Sequence, residues 1–306
     1  MTLKSTVETL VAVAPTLGLG PNHYSNEGPL VHQTGSHAAF GGSLVSQAIL
    51  AATATVPDGF DVFSCQSSFL RPVDSRQKVN YNVEHAAGGR TFVTRVVRAN
   101  QDAEGPCLYI AVISFRRHSS ITMSEELPTY ADPMPAVSHL DPNDIPKQGF
   151  QEVGFQIAQP APNIGDDEPF DWRALPFNPT QDIMQACAHG FVRSQLLSER
   201  SRGLHLGSLA FLSDQSLLEL VLFANWDKIR ERLQSLVMST TLVHNVSFHD
   251  PDAKADSWKV CESKTSWGAG GRAFLHQRFW DLKTGNLVMK YNQEALIGLE
   301  QGKSQL

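Results

Sequence analysis

The stretch "SSFLRPVDSRQKVNYNVEHAAGGRTFVTRVVRANQDAEGPCLYIAVISF", from Ser67 to Phe115, decides the fold because the chain writes its pattern twice. Its counterpart is "VSFHDPDAKADSWKVCESKTSWGAGGRAFLHQRFWDLKTGNLVMKYNQEALI", from Val246 to Ile297. Each opens on Ser-Phe, at Ser68-Phe69 and Ser247-Phe248, with a proline after two intervening residues. An alternating segment then leads to Gly-Gly-Arg-x-Phe, at Gly88-Gly89-Arg90 and Gly270-Gly271-Arg272, and two more runs follow, split by a turn. Period-two alternation predicts strands in "KVNYNVE", "RTFVTRVVRA" and "CLYIAVISF", and in "SWKVCES", "AFLHQRFWD" and "LVMKYNQEALI". Turn chemistry separates them at "AAGG", "QDAEGP", "GAGG" and "KTGN".

Each copy is preceded by one apolar run at helical spacing: Ala39 to Val56 in the first, Ala210 to Phe223 in the second. A helix followed by an antiparallel meander that wraps it is an α+β unit, so two such units are expected. The second run holds an acid. At helical spacing Asp214 shares a face with Leu217, Leu218 and Val221. Burying a carboxylate without partners costs on the order of several kcal/mol, so hydrogen-bond donors or a cavity that uses an acid should surround it. Taken alone, Asp214 reads as a helix-capping acid in a first turn, a task Ser213 could share. Lining up Phe40 with Phe211 sets Ser43 opposite Asp214, so the acid is expected in one copy only.

A chain of 306 residues, 42% hydrophobic, is long enough for two ordinary cores. The expected division is a first repeat over 1–118, a linker over 119–167 and a second repeat over 168–306. The linker carries "LPTYADPMP" and "DPNDIPKQG" and is read as crossing the surface against both halves. With 25 basic against 31 acidic residues, a net charge of −6 and no basic run, nucleic acid is not an expected partner. Cys65, Cys107, Cys187 and Cys261 are scattered among apolar residues without CxxC pairing and read as reduced thiols. The N-terminus lacks a signal-peptide pattern, and no stretch reaches the roughly 18 apolar residues of a membrane helix. An intracellular protein is expected, and the sequon at Asn245 then has no use. Ser304-Gln305-Leu306 differs from the peroxisomal address Ser-Lys-Leu only at its middle position, which leaves peroxisome and cytoplasm both open.

No metal or cofactor is expected. His244 and His249 fall at odd separation on one strand-like segment, and His23, His32 and His37 have no fourth ligand at telling spacing. A GxSxG elbow and the glycine patterns of phosphate and dinucleotide loops are missing as well.

The motifs "FGGSLVSQAI", "FLRPVDSRQ", "LAFLSDQSLLEL", "TLVHNVSFH" and "NQEALIG", in that order, resemble the acyl-CoA thioesterase II family. The resemblance covers nearly the whole chain apart from the linker. It implies a double hotdog fold, two sheet-wrapped helices side by side under one continuous sheet, hydrolysis of acyl-CoA, and association into a homo-oligomer. It also implies a water-holding trio of Asp214 in "LSDQSLL", Thr241 in "TLVHNVSFH" and Gln293 in "YNQEALIG". Thr240 beside Thr241 is an equal candidate from the residues alone. Backbone N–H groups at Gly41 and Gly42 are the expected oxyanion donors, since glycine admits close approach, and Arg71, Arg90, Arg116 and Arg117 are available for the coenzyme phosphates. The family's acid before the histidine of "TLVHN" is replaced by Val243, and Asp250 follows the second histidine, departures that bear on specificity. Two other readings use the same fold: release of an acyl chain from a carrier-protein thioester, and non-catalytic acyl binding.

Overall fold

The computed structural model describes residues 5–32, 36–102, 104–118, 130–147, 168–176, 183–198, 201–215, 220–221 and 236–299. In the first half, helix α1 (Thr6–Val11) and strands β1 (Val13–Pro15) and β2 (His23–Asn26) precede helix α2 (Gly41–Thr53). Strands β3 (Phe60–Phe69), β4 (Asn80–Gly88), β5 (Phe92–Asn100) and β6 (Tyr109–Arg117) follow it. The second half repeats the series with β7 (Phe170–Ala174), β8 (Cys187–Ser194), α3 (Arg202–Leu212), β9 (Leu236–Phe248), β10 (Lys259–Ala269), β11 (Arg272–Asp281) and β12 (Leu287–Leu299). All six strands expected from the repeat are present, and the two Gly-Gly-Arg motifs lie at the β4–β5 and β10–β11 turns.

These strands form one antiparallel sheet in the order β1-β2-β4-β5-β6-β3-β9-β12-β11-β10-β8-β7. Read outward from its middle, the order is the same in both halves, which makes the sheet pseudo-two-fold. The centre of symmetry is the β3–β9 pair, where Ser64 lies opposite Ser247 and Ser68 opposite Val243. That register is what the Ser68/Ser247 sequence match requires of two copies meeting head to tail.

Both central helices lie beneath the sheet. Val45, Ala48, Ile49, Ala51 and Ala52 of α2, and Leu206, Leu209, Ala210 and Phe211 of α3, are fully buried, each large apolar side chain contributing roughly 1.5–3 kcal/mol by leaving water. The helices run antiparallel and close. A β-carbon on Gly207 would lie 3.1 Å from Leu50, one on Gly203 3.3 Å from Thr53, and one on Gly42 2.3 Å from the Phe211 carbonyl oxygen. The sequence placed the second helix at Ala210–Phe223, whereas α3 begins earlier, at Arg202, and ends at Leu212 with Ser213 as its C-cap; Leu220 and Val221, inside the expected span, are again helical. Two glycines hide the earlier start, because each costs about 1 kcal/mol of helix propensity and sits where a β-carbon would press on Leu50 or Thr53 of the neighbouring helix.

The antiparallel arrangement also corrects the alignment of Phe40 with Phe211. Phe40 precedes α2 and Phe211 ends α3, so the two rings touch, with centroids 5.1 Å apart, rather than standing at equivalent places. The counterpart of the C-cap Ser213 is Ala54, with matching αR geometry. Thr55, not Ser43, therefore stands where the second copy has Asp214.

Residues 130–147 pack on the far side of the sheet in the second half. Met134, Val137, Leu140 and Ile145 cover Phe191, Val260 and Trp280. Asp132 pairs with Lys290 at 2.7 Å and Arg278 at 3.1 Å. Among the described residues no helix is long and apolar enough to cross a membrane.

Candidate active site

Asp214 occupies the turn directly after α3, rather than the apolar helix face expected for it, and its expected neighbours Leu217 and Leu218 lie outside the described residues. The turn is anchored on both sides of the acid. Ser213, fully buried, donates its hydroxyl to the Ala210 carbonyl at 2.7 Å and contacts His244 Nε2 at 3.1 Å. Gln215 accepts from Trp172 Nε1 at 3.2 Å. Asp214 itself accepts from Thr241 Oγ1 at 3.1 Å.

Thr241 reaches the acid because of a β-bulge. On β9 Thr241 pairs with Ala295 and Val243 with Glu294, which leaves Leu242 as the extra residue. An extra residue shifts the alternation by one, so Thr241 and His244, three apart, are both turned inward and buried. Thr240, the equal candidate, is exposed. Gln293 lies on the next strand as the cross-strand partner of His244. Its side chain is buried, and its Oε1 has no hydrogen-bond partner among the described residues.

The other wall is the start of α2. A β-carbon on Gly41 would fall 2.5 Å from Asp214 Oδ2 and 2.9 Å from the Phe69 ring. Phe40 supplies no side-chain cap to this helix, and the helix start, the positive end of its dipole, lies beside the carboxylate. Gly41 therefore borders the acid, whereas the tight approach at Gly42 is to the Phe211 carbonyl oxygen and the Phe40 ring.

The pseudo-equivalent place in the first half carries none of this chemistry. The bulge recurs on β3 at Phe63, between Val62 opposite Phe115 and Ser64 opposite Ser114. Matching the two ladders sets Val62 in place of Thr241, Cys65 in place of His244 and Ile113 in place of Gln293, all buried.

From the sequence His244 has no place in the site and is named only against a metal and beside the Val243 departure. It is fully buried, stacked on Tyr291 with ring centroids 5.5 Å apart, and burial holds its imidazole down to about 4. The signal that could have found it is its place three residues after Thr241 in the same motif, "TLVHN".

Each of the four cysteines is a free thiol. Cys187, His189 and Glu262 come within reach of one another on the sheet's far side. Glu262 is already neutralised there by Arg278 at 2.9 Å and Lys264 at 3.3 Å. Burial, with the Glu262 charge, pushes the Cys187 thiol up to about 12. Two cations and a protonated thiol make this a poor divalent-metal site. Among the expected phosphate-binding arginines, Arg71 and Arg90 are exposed, while Arg117 lies over the Phe60 ring, 4.6 Å from its centroid.

A chain that sets two helices beneath one continuous sheet, with the anchored Asp214 carboxylate at the end of one helix and the start of the other, is a double hotdog protein of the thioesterase class. Its sequence matches the model of the acyl-CoA thioesterase N-terminal domain over residues 29–116 and that of the C-terminal domain over residues 142–297. The chain belongs to the acyl-CoA thioesterase family, whose members are thioester hydrolases. It is 26% identical to acyl-coenzyme A thioesterase 8 of Mus musculus over 290 residues, which span 87% of this chain and 82% of the relative. It is 21% identical to the peroxisomal acyl-coenzyme A thioester hydrolase 1 of Saccharomyces cerevisiae over 342 residues, spanning 96% of this chain and 94% of that one. A crystal structure of an acyl-CoA thioesterase II from Mycobacterium marinum superposes with a TM-score of 0.73 at 24% identity, covering 97% of this chain and 99% of the other.

Proposed function

We propose that the chain hydrolyses acyl-CoA to a free carboxylic acid and coenzyme A, with Asp214, Thr241 and Gln293 organising the attacking water. The observation that carries this reading is the hydrogen bond from Thr241 Oγ1 to Asp214 Oδ1. It fixes Oδ1, while Oδ2 lies beside Gly41 at the start of α2. A thioester carbonyl is electrophilic and its thiolate leaves readily, so one oriented water with one proton acceptor is sufficient chemistry. In this reading water adds to the carbonyl carbon as Asp214 takes a proton from it. The C–S bond breaks, and the proton passes to the departing coenzyme A sulfur. Gln293 Oε1, buried and without a partner among the described residues, is an acceptor for the water's second hydrogen. First-turn N–H groups at Gly41 and Gly42 are the proposed donors to the developing oxyanion, each worth about 3 kcal/mol when well placed. One such site per chain follows from the apolar Val62 and Ile113 at the pseudo-equivalent positions.

The test is free-thiol release from short, medium and long acyl-CoA esters by wild type, Asp214→Ala and Gln293→Ala. Turnover by wild type that is lost in both folded variants supports the reading. Turnover indifferent to Asp214 removes the site, and no turnover by wild type removes the substrate.

We read the chain as a first repeat over 1–118, a linker over 119–167 and a second repeat over 168–306, supported by the mirrored strand order. The C-terminal family match begins at residue 142, inside the linker so defined. Assembly into a homo-oligomer is part of the same reading, supported by the exposed pair Phe63 and Phe92, whose rings meet edge to face at 5.9 Å. Light scattering of the purified protein tests it, and a monomer mass removes it. Peroxisomal targeting through Ser304-Gln305-Leu306, which lie outside the described residues, is supported by the peroxisomal yeast relative.

A further inference from the structure

We infer that His244 is a positioning residue for the Asp214 carboxylate, acting through Ser213; this rests on the proposed role of Asp214. The imidazole tautomer follows from its partners. The single hydroxyl hydrogen of Ser213 is used on the Ala210 carbonyl at 2.7 Å, so Ser213 Oγ offers His244 only lone pairs. The second atom near Nε2, the Ser213 carbonyl oxygen at 3.3 Å, is also an acceptor. Nε2 therefore carries the proton and donates to both acceptors of Ser213. That leaves Nδ1 as an acceptor. It is buried and meets no donor among the described residues.

A side chain kept only for packing gains nothing from this arrangement. A phenylalanine would stack on Tyr291 equally well and would leave no buried acceptor open, which is a costly condition. The fork from Nε2 instead holds both polar atoms of the residue immediately before Asp214. The imidazole is itself fixed, stacked on Tyr291, while Ser67 Oγ donates to the His244 backbone carbonyl at 2.8 Å. This chain of contacts runs from β3 through β9 to the turn after α3, so the central strands of both halves determine where the carboxylate sits. Gln215, bound by Trp172 from β7, holds the turn from the other side. At the matching position of the first half stands Cys65, which cannot make such a fork, and the turn there carries Thr55 in place of an acid.

The test uses the full chain and acyl-CoA hydrolysis, with Asp214→Asn as the control. His244→Phe, which keeps the volume and removes the donor, is expected to lower kcat about 10- to 100-fold while KM stays within about threefold of wild type. His244→Gln returns an amide N–H to the Nε2 position and is expected to recover most of the loss. Ser213→Ala, which removes one of the two acceptors together with the hydroxyl bond to the Ala210 carbonyl, is expected to lower kcat several-fold and serves if His244→Phe fails to fold. Nitrogen-15 shifts of the ring should report a neutral Nε2–H tautomer. Wild-type kcat in His244→Phe, or in Ser213→Ala where His244→Phe is unfolded, overturns the inference. So does an equal loss in His244→Gln and His244→Phe. Asp214→Asn separates the failures: if that variant keeps full activity the site reading itself is wrong, whereas if it is inactive and the His244 and Ser213 variants are normal, only the positioning role falls.

Discussion

Gly41 and Asp214, from opposite halves of the chain, share one small space: a methyl group on the Gly41 α-carbon would lie 2.5 Å from Asp214 Oδ2. The first residue of α2 is thus part of the mould around the carboxylate. Both groups that the methyl would meet, Asp214 Oδ2 and the edge of the Phe69 ring, end side chains rather than backbone, so the chain can yield by displacing the groups the site depends on.

Gly41→Ala should fold with a melting temperature close to wild type and lose activity. A misplacement of about 1 Å in a reacting group costs on the order of 100-fold in rate. Paired melts and thiol-release assays check this, and a variant with wild-type kcat would show that Asp214 need not sit where it does.

Thr241→Val removes the hydroxyl that holds Asp214 and keeps the branched shape that β9 favours. A hydrogen bond to a charged group is worth about 1.5–3 kcal/mol, so kcat should fall roughly 10- to 100-fold, with Thr241→Ser close to wild type. Thr240→Val, on the exposed neighbour, should change nothing measurable. Steady-state kinetics on the three variants decide between the two threonines.

The acid limb of stability should carry the signature of His244. Burial depresses its imidazole to about 4 from an ordinary 6.5, against the opposing hydrogen bond to the Ser213 backbone. Between those values the unfolded chain binds a proton that the folded chain does not. Above pH 6.5 this costs the folded state nothing, and as pH falls toward 4 the folded state loses stability, the loss reaching roughly 3 kcal/mol at the lower end. Thermal melts of wild type and His244→Gln from pH 7 to pH 4 should diverge in this sense, with the variant flatter. Parallel curves would assign the acid limb to other groups.

A fluorescent protein fused to the N-terminus, leaving Leu306 free, should concentrate in peroxisomes, and deletion of residues 304–306 should disperse it. Identical diffuse signal from both fusions would end the targeting proposal.

The strands and turns were legible in the sequence because alternation and turn chemistry are local. "RTFVTRVVRA" dictates its own two faces whatever it pairs with, and Gly270-Gly271, both at positive φ, supply a turn that other residues strain to make. The repeat supplied the rest of the architecture, since two copies of one meander have few ways to share a sheet. The start of the second copy's helix was not legible. Gly203 and Gly207 weaken its local pattern and are explained only by Leu50 and Thr53 on the other helix. The candidate site shows the same divide. Motif order brought Asp214, Thr241 and Gln293 together as a set, but the bulge at Leu242, the choice of Thr241 over Thr240 and the fork from His244 to Ser213 belong to the tertiary structure alone. The physical reason is that each depends on a neighbour supplied by a distant segment: a bulge exists only against a partner strand, and a carboxylate is placed by the helix start, strand and turn that meet around it.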